Sequence, residues 1–196
     1  MNRGLRLLPL LLSCAAMIAA AQQPPSDHHS PEFRSMQQKL AYLKLNGAKT
    51  HPDPKPTEVS EAEANAYFKE GGVNLPRGVS NVHLTSQPGT IDGHAQVDFE
   101  TIMEGKGSAN PLLSIFSGTH DVRVVAQAAG SAGTGNIRVQ SVYLNGIELP
   151  LMALQFFAQR YITPKYPNVG VNSTFKLPLR IDSAVVEAGR VRLMQR

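Results

Sequence analysis

The chain has 196 residues, one cysteine, no tryptophan, and 19 basic against 15 acidic side chains. One cysteine excludes an internal disulfide framework and any multi-thiolate metal site. The small positive excess, with no Lys/Arg stripe and no aromatic-basic interleaving, gives no nucleic-acid footprint, so no nucleic acid is expected as a partner.

The N-terminus reads as a targeting segment. Arg3 and Arg6 open it, Leu5 to Leu12 is an apolar run, and Ala19-Ala20-Ala21 is a small-residue cleavage site before Gln22. That is the grammar of a secretory signal peptide. Residues 1–21 are read as this peptide, 22–56 as a tether with a short helix and a Pro-rich linker, and 57–196 as a single domain. Removing 21 residues from 196 leaves 175, enough for one real core, and leaves 17 basic against 15 acidic groups. The expected location is periplasmic or secreted. A cysteine-free exported product suits a bacterial periplasm. In a second reading, Leu11-Leu12-Ser13-Cys14 resembles a lipoprotein box that would anchor the chain through an acylated Cys14, although the apolar sequence that continues to Ala21 argues against it.

Gln22 to Ser30 is polar and reads as disordered. Ser30-Pro31-Glu32 is a helix start. Phe33, Met36, Leu40 and Leu43 recur at helical intervals, and Asn46-Gly47 is a C-cap. The alternate prolines of His51 to Pro56 predict a stiff extended linker. Ser60-Glu61-Ala62-Glu63 is a capping box, with Val59 and Ala64 placed as a hydrophobic staple, and this second helix stops at Gly71-Gly72.

The period then changes to two. A turn at Pro88-Gly89 pairs Val82 with Ala95 and Leu84 with Gly93, putting small and apolar residues on one face. A second hairpin runs through Val122, Val124, Ala126 and Ala128, turns in the glycine-rich Gly130 to Gly135, read as a mobile loop, and returns through Ile137, Val139, Ser141 and Tyr143. Asn145-Gly146 marks another tight turn. Pro150 to Ile162 is an apolar helix whose polar residues are Gln155, Gln159 and Arg160. It is too short to cross a bilayer, and is expected to be covered nearly all round, as a core helix or as a wall lined for something apolar. Phe175, Leu177, Leu179 and Ile181 follow as a strand. A last hairpin joins Ala184 and Val186 to Val191 and Leu193 across Ala188-Gly189. Six or seven strands joined mostly by short turns, with three or four helices, make an α+β class with a mainly antiparallel sheet.

Chemistry-bearing residues are sparse. Gly130 to Gly135 is followed by a strand, whereas a phosphate loop needs a helix there. His83 and His94 become cross-strand partners with Asp92 or Asp98 nearby, but no third metal ligand stands at diagnostic spacing, and a solvent-facing pair is expected. Asp27-His28-His29 is a weaker cluster in the tether. Ser117, His120 and Asp121 are the residue types of a hydrolytic triad, yet adjacent strand residues point to opposite faces. Glu61 and Glu63 are explained by the first turn of a helix. Asn172-Ser173-Thr174 is formally a glycosylation sequon, and Asn110 to Phe116 is an apolar patch in a Gly/Ser-rich loop, read as a pocket lip or as a core plug.

Val59-Ser60-Glu61-Ala62-Glu63-Ala64-Asn65-Ala66-Tyr67-Phe68 and the stretch Leu177 to Val191 resemble the helix entry and the closing hairpin of the LmeA-like periplasmic phospholipid-binding family, which has a tubular lipid-binding (TULIP-like) shape. The resemblance covers about 25 residues and implies a twisted antiparallel sheet curled around one or two helices, an apolar groove for acyl chains and no catalytic residues; no cofactor or metal is expected from the residues themselves. Pro150, Pro164 and Pro167 flank a short apolar helix, which departs from a deep tube. The expected activity is non-enzymatic binding of a phospholipid or similar amphiphile, for lipid transport or envelope maintenance, with contact to a membrane surface. The expected tail contacts are Leu112, Leu113, Ile115, Phe116, Leu151, Leu154, Phe156 and Phe157, with Arg160 or Lys165 at a headgroup. The alternative is an envelope interaction domain in which the same apolar residues are core.

Overall fold

Ser30 starts the first helix as the sequence predicts: its hydroxyl accepts the Phe33 N–H at 3.2 Å, and Pro31 follows at the position where a missing N–H costs nothing. The computed structural model describes residues 29–103, 116–164 and 170–196. The signal segment, Cys14, Asp27 and His28 lie outside the described residues.

Helix α1 (Pro31–Gly47) buries Phe33, Met36, Leu40 and Leu43, the i, i+3, i+7, i+10 stripe that helical geometry lines up on one face. Phe33 lies 5.1 Å from the ring of Tyr67, so this helix shares the core of the following elements. The expected boundary at residue 57 therefore does not separate packing units. Asn46 is buried near the end of the helix, where its amide donates to the Asp53 carbonyl at 3.0 Å and its oxygen accepts the Asp53 N–H at 2.8 Å, folding the proline-rich segment back on α1.

Strand β1 (Thr57–Ser60) and helix α2 (Glu61–Lys69) meet at Ser60. The capping box is present: Ser60 Oγ accepts the Glu63 N–H at 3.2 Å, and Glu63 Oε2 accepts the Ser60 N–H at 2.7 Å. The polar residues of the motif also reach outward. The Asn65 amide bonds both backbone groups of Leu84, at 2.8 and 2.7 Å, and the Ser86 N–H and hydroxyl both donate to Glu61 Oε1, the hydroxyl at 2.9 Å. Leu84 and Ser86 belong to β2 (Val79–Gln87), the last strand of the sheet path, so α2 occupies backbone groups that an edge strand would otherwise offer to another chain.

Strand β2 pairs with β3 (Thr90–Asp98) in the predicted register, Leu84 opposite Gly93 and His83 opposite His94. A bulge between Ser80 and His83 absorbs one residue, and Asn81 takes φ 52° there, its amide donating to Gln96 at 2.7 Å. Asp98 caps the one-turn helix α3 (Phe99–Ile102).

Strands β4 (Thr119–Ser131) and β5 (Thr134–Leu144) form the long central hairpin. The predicted phase of β5 holds for Ile137 and half-buried Val139, then inverts: Val142 and Leu144 are buried in place of Ser141 and Tyr143. The cause is a register shift opposite Val125/Ala126, since one extra residue turns every later side chain to the other face. The glycine-rich stretch is not a loose loop. Pairing continues to Ser131 and Thr134, and Ala132 and Gly133 make a two-residue turn with φ 48° and 71°. A Cβ on Gly130 would stand 2.9 Å from Ala184 Cβ and 3.0 Å from its backbone nitrogen, which is why a glycine sits where β4 meets β8.

Asn145-Gly146 turns into β6 (Ile147–Glu148), and Pro150 opens α4 (Leu151–Phe157), which continues as a π turn over Ala158–Ile162. The predicted strand through Phe175 to Ile181 is two strands: β7 (Asn172–Lys176) ends before a turn in which Leu179 and Arg180 both have positive φ, and β8 (Ile181–Glu187) begins after it. Strands β8 and β9 (Arg190–Gln195) pair Ala184 with Leu193 and Val186 with Val191, as predicted.

Among the described residues the nine strands form one sheet, ordered β1-β9-β8-β4-β3-β2, with β5 also on β4 and β6 and β7 on β5. Every pairing is antiparallel. The class is α+β. Among the described residues no helix is long and apolar enough to cross a membrane.

Candidate functional site

The apolar helix lies at one end of the sheet. Phe99 follows the last residue of β3, Phe116 precedes β4, and Asp98 pairs with Thr119 beside them. The Asn145 turn joins the same end through its N–H to the Asp121 carbonyl, 2.8 Å. Within α4, Ala153 and Phe157 are one helical turn apart and are the buried residues, while Leu154, Tyr161 and Ile162 pack half-buried on the core.

Phe157 completes an aromatic cluster. Its ring stacks on Phe116 at 4.3 Å, meets Phe99 edge-on at 5.3 Å and lies 5.2 Å from Tyr161. Phe116 is 2% exposed and forms the floor. These separations are the favourable offset and edge-to-face arrangements of aromatic rings.

The other face of α4 is uncovered. Leu151 is 52% exposed, Met152 62% and Phe156 43%, and Ile147 in the preceding turn is 73% exposed. The expectation that this helix is covered nearly all round is therefore wrong for its outer half. Among the described residues, no element packs over the face opposite Phe157. Arg160 is exposed one turn beyond Phe156.

Of the ten residues expected to touch an amphiphile, Phe116 and Phe157 are brought into ring contact and Leu154 flanks them, while Leu151, Phe156 and Arg160 lie on the outer face. Leu112, Leu113, Ile115 and Lys165 fall outside the described residues. Phe99, Tyr161, Ile147 and Met152 belong to this end of the molecule but were missed as site residues. The signal for Ile147 was its place directly after a tight Asn-Gly turn, where a side chain has few neighbours.

The other sequence candidates have structural partners. His120 Nε2 donates to the Ser117 carbonyl at 2.6 Å, and its Nδ1 accepts the Asn145 amide at 2.9 Å, so both ring nitrogens are engaged outside a triad. His94 lies 3.4 Å from Asp92, which is held by the Arg123 guanidinium at 2.7 Å, and no group of three metal-ligating side chains exists among the described residues. Glu61 and Glu63 serve the α2 contacts described above. Surface grooves also lie away from α4: one of about 550 Å³ beside Gln127, Ile137, Arg138 and Thr174, and one of about 520 Å³ beside His51, Arg180, Asp182 and Met194.

Compared with known proteins, the chain matches no family model, no curated protein and no solved structure, so its likeness to the LmeA-like family rests on the two sequence stretches alone.

Proposed function

We propose that this protein is an exported, non-enzymatic binder of a phospholipid or similar amphiphile, engaging acyl chains at the α4 end of the sheet. The observation that carries the reading is the exposure of Leu151, Met152 and Phe156 on the same helix whose Phe157 closes the cluster with Phe99 and Phe116. Large apolar side chains grouped at one end of a domain mark an interaction site, and scattered single ones do not. Arg160, at the end of the same face, supplies a cation for a headgroup phosphate. The signal-peptide grammar of residues 1–21 and the likeness to a periplasmic phospholipid-binding family support the same reading.

Moving three half-exposed side chains of this kind into an acyl phase is worth about 1 kcal/mol each. Together they change partitioning by about a hundredfold. The test is flotation with phosphatidylethanolamine–phosphatidylglycerol vesicles, comparing the natural chain with a Leu151→Ser, Met152→Ser, Phe156→Ser variant. The natural chain floats with the vesicles and the variant loses about a hundredfold in partition. Equal behaviour of the two, or no association by either, contradicts the proposal and leaves an envelope interaction domain as the better reading.

A further inference from the structure

We infer that α4 is a lid latched by Phe157, and that the acyl tail of the amphiphile enters the space this ring takes up among Phe99, Phe116 and Tyr161. The inference rests on the amphiphile reading above and says how that site opens.

The buried side chains of α4 are Ala153 and Phe157, with Leu154, Tyr161 and Ile162 packed half-buried beside them. Alanine brings little apolar area, so the one large side chain buried in this docking is the Phe157 ring against Phe116 and Phe99. The N-terminus of α4 has no side-chain cap, and its anchor is Leu149, just before Pro150, which is buried and donates its N–H to the Val142 carbonyl at 2.8 Å, a fixed point about which the helix can turn. At the C-terminal end the α ladder gives way to a π turn, with the Thr163 N–H donating to the Ala158 carbonyl at 2.8 Å. Such π segments are rare and concentrate where a helix has to deform for function. Pro150 and Pro164 bound the segment, and each removes a backbone donor that would tie it to its flanks.

The surroundings suit an apolar replacement for the ring. The floor is Phe116 and Phe99, both buried, and the outer face of the helix is already apolar at Leu151, Met152 and Phe156. A tail that displaces Phe157 keeps apolar contact below, and the released ring joins an apolar face above. The closed state then competes with the ligand. A protein whose binding-competent state is a fraction f of the population binds with its affinity reduced by that fraction. Weakening the latch raises f and tightens binding, whereas removing a direct tail contact loosens it, so the sign separates the two roles.

The test uses the natural chain with Phe157→Ala and Phe157→Leu variants, and lysophosphatidylcholine below its micelle threshold as probe, followed by calorimetry and amide hydrogen exchange. For the natural chain, the probe raises exchange over residues 153–163 by about tenfold and leaves the β4–β5 hairpin unchanged. Phe157→Ala binds about tenfold tighter, the factor for a lid open about a tenth of the time, with Phe157→Leu in between. Binding with unchanged or slowed α4 exchange, or weaker binding by both variants, overturns the lid while leaving the amphiphile reading intact. No binding by the natural chain overturns the reading and the lid together. Loss of β4–β5 protection in Phe157→Ala would mark a folding failure, and the natural chain and Phe157→Leu then decide.

Discussion

Asn46 and Gln195, 149 positions apart, share a buried hydrogen bond of 2.8 Å between their side-chain amides. Gln195 Nε2 also donates to the carbonyls of Leu43, at 2.8 Å, and Leu179, at 2.6 Å. One amide thus joins the last turn of α1 to the turn before β8, and Asn46 carries the link on to Asp53. The two residues are 1% and 3% exposed, so water cannot replace a lost partner.

Truncating either residue leaves buried groups unsatisfied, which costs about 1–3 kcal/mol. Asn46→Ala and Gln195→Ala are each expected to lower unfolding stability by that amount in urea titration. The double variant is expected to lose less than the sum of the two, because the shared bond is counted twice in the singles. Strict additivity would show that the two amides act independently.

Glu63 ties stability to pH. Burial pushes its carboxyl up, but hydrogen bonds from Lys39, Ser35 and the Ser60 N–H, with the Lys39 charge, outweigh burial and hold it below its ordinary value of 4.5. A carboxylate with a lowered folded pKa binds fewer protons folded than unfolded. Its contribution is complete above the ordinary value and is lost as pH falls from there through the lower folded value. Glu63→Gln is expected to be less stable than the natural chain at pH 7, with the gap closing as pH drops below about 4.5. A gap that stays constant from pH 7 to pH 3 would contradict this account.

Gly130 and Gly135 predict different penalties. A Cβ on Gly130 meets backbone, the Ala184 nitrogen at 3.0 Å, whereas one on Gly135 meets the far end of the Phe175 ring at 2.6 Å. A ring tip can swing aside and a paired strand cannot. Gly130→Ala is expected to cost about 1–3 kcal/mol, as overpacking does, and Gly135→Ala less. Thermal unfolding of the two variants measures the order.

Much of the fold was legible because it is local. The capping box at Ser60, the His83–His94 register and the Asn145-Gly146 turn each follow from neighbouring residues. What escaped is set at long range. The strand β1 spans four residues and ends at the cap of α2, so too few positions alternate to show a period. The bulge that inverts β5 depends on β4, and Gly130 answers to a strand more than fifty residues later. The α4 end was half legible: its apolar residues stood in the sequence, but the exposure of Leu151, Met152 and Phe156 depends on what packs over α4, which no helical period encodes.

The central claim is that an acyl chain occupies the α4 end. The most direct measurement is native mass spectrometry of the chain expressed with its own N-terminus in a bacterial host, followed by solvent extraction of the purified protein. The account predicts a stoichiometric lipid adduct that the Leu151→Ser, Met152→Ser, Phe156→Ser variant lacks. A ligand-free mass for the natural chain, unchanged after incubation with phospholipid vesicles, would contradict it.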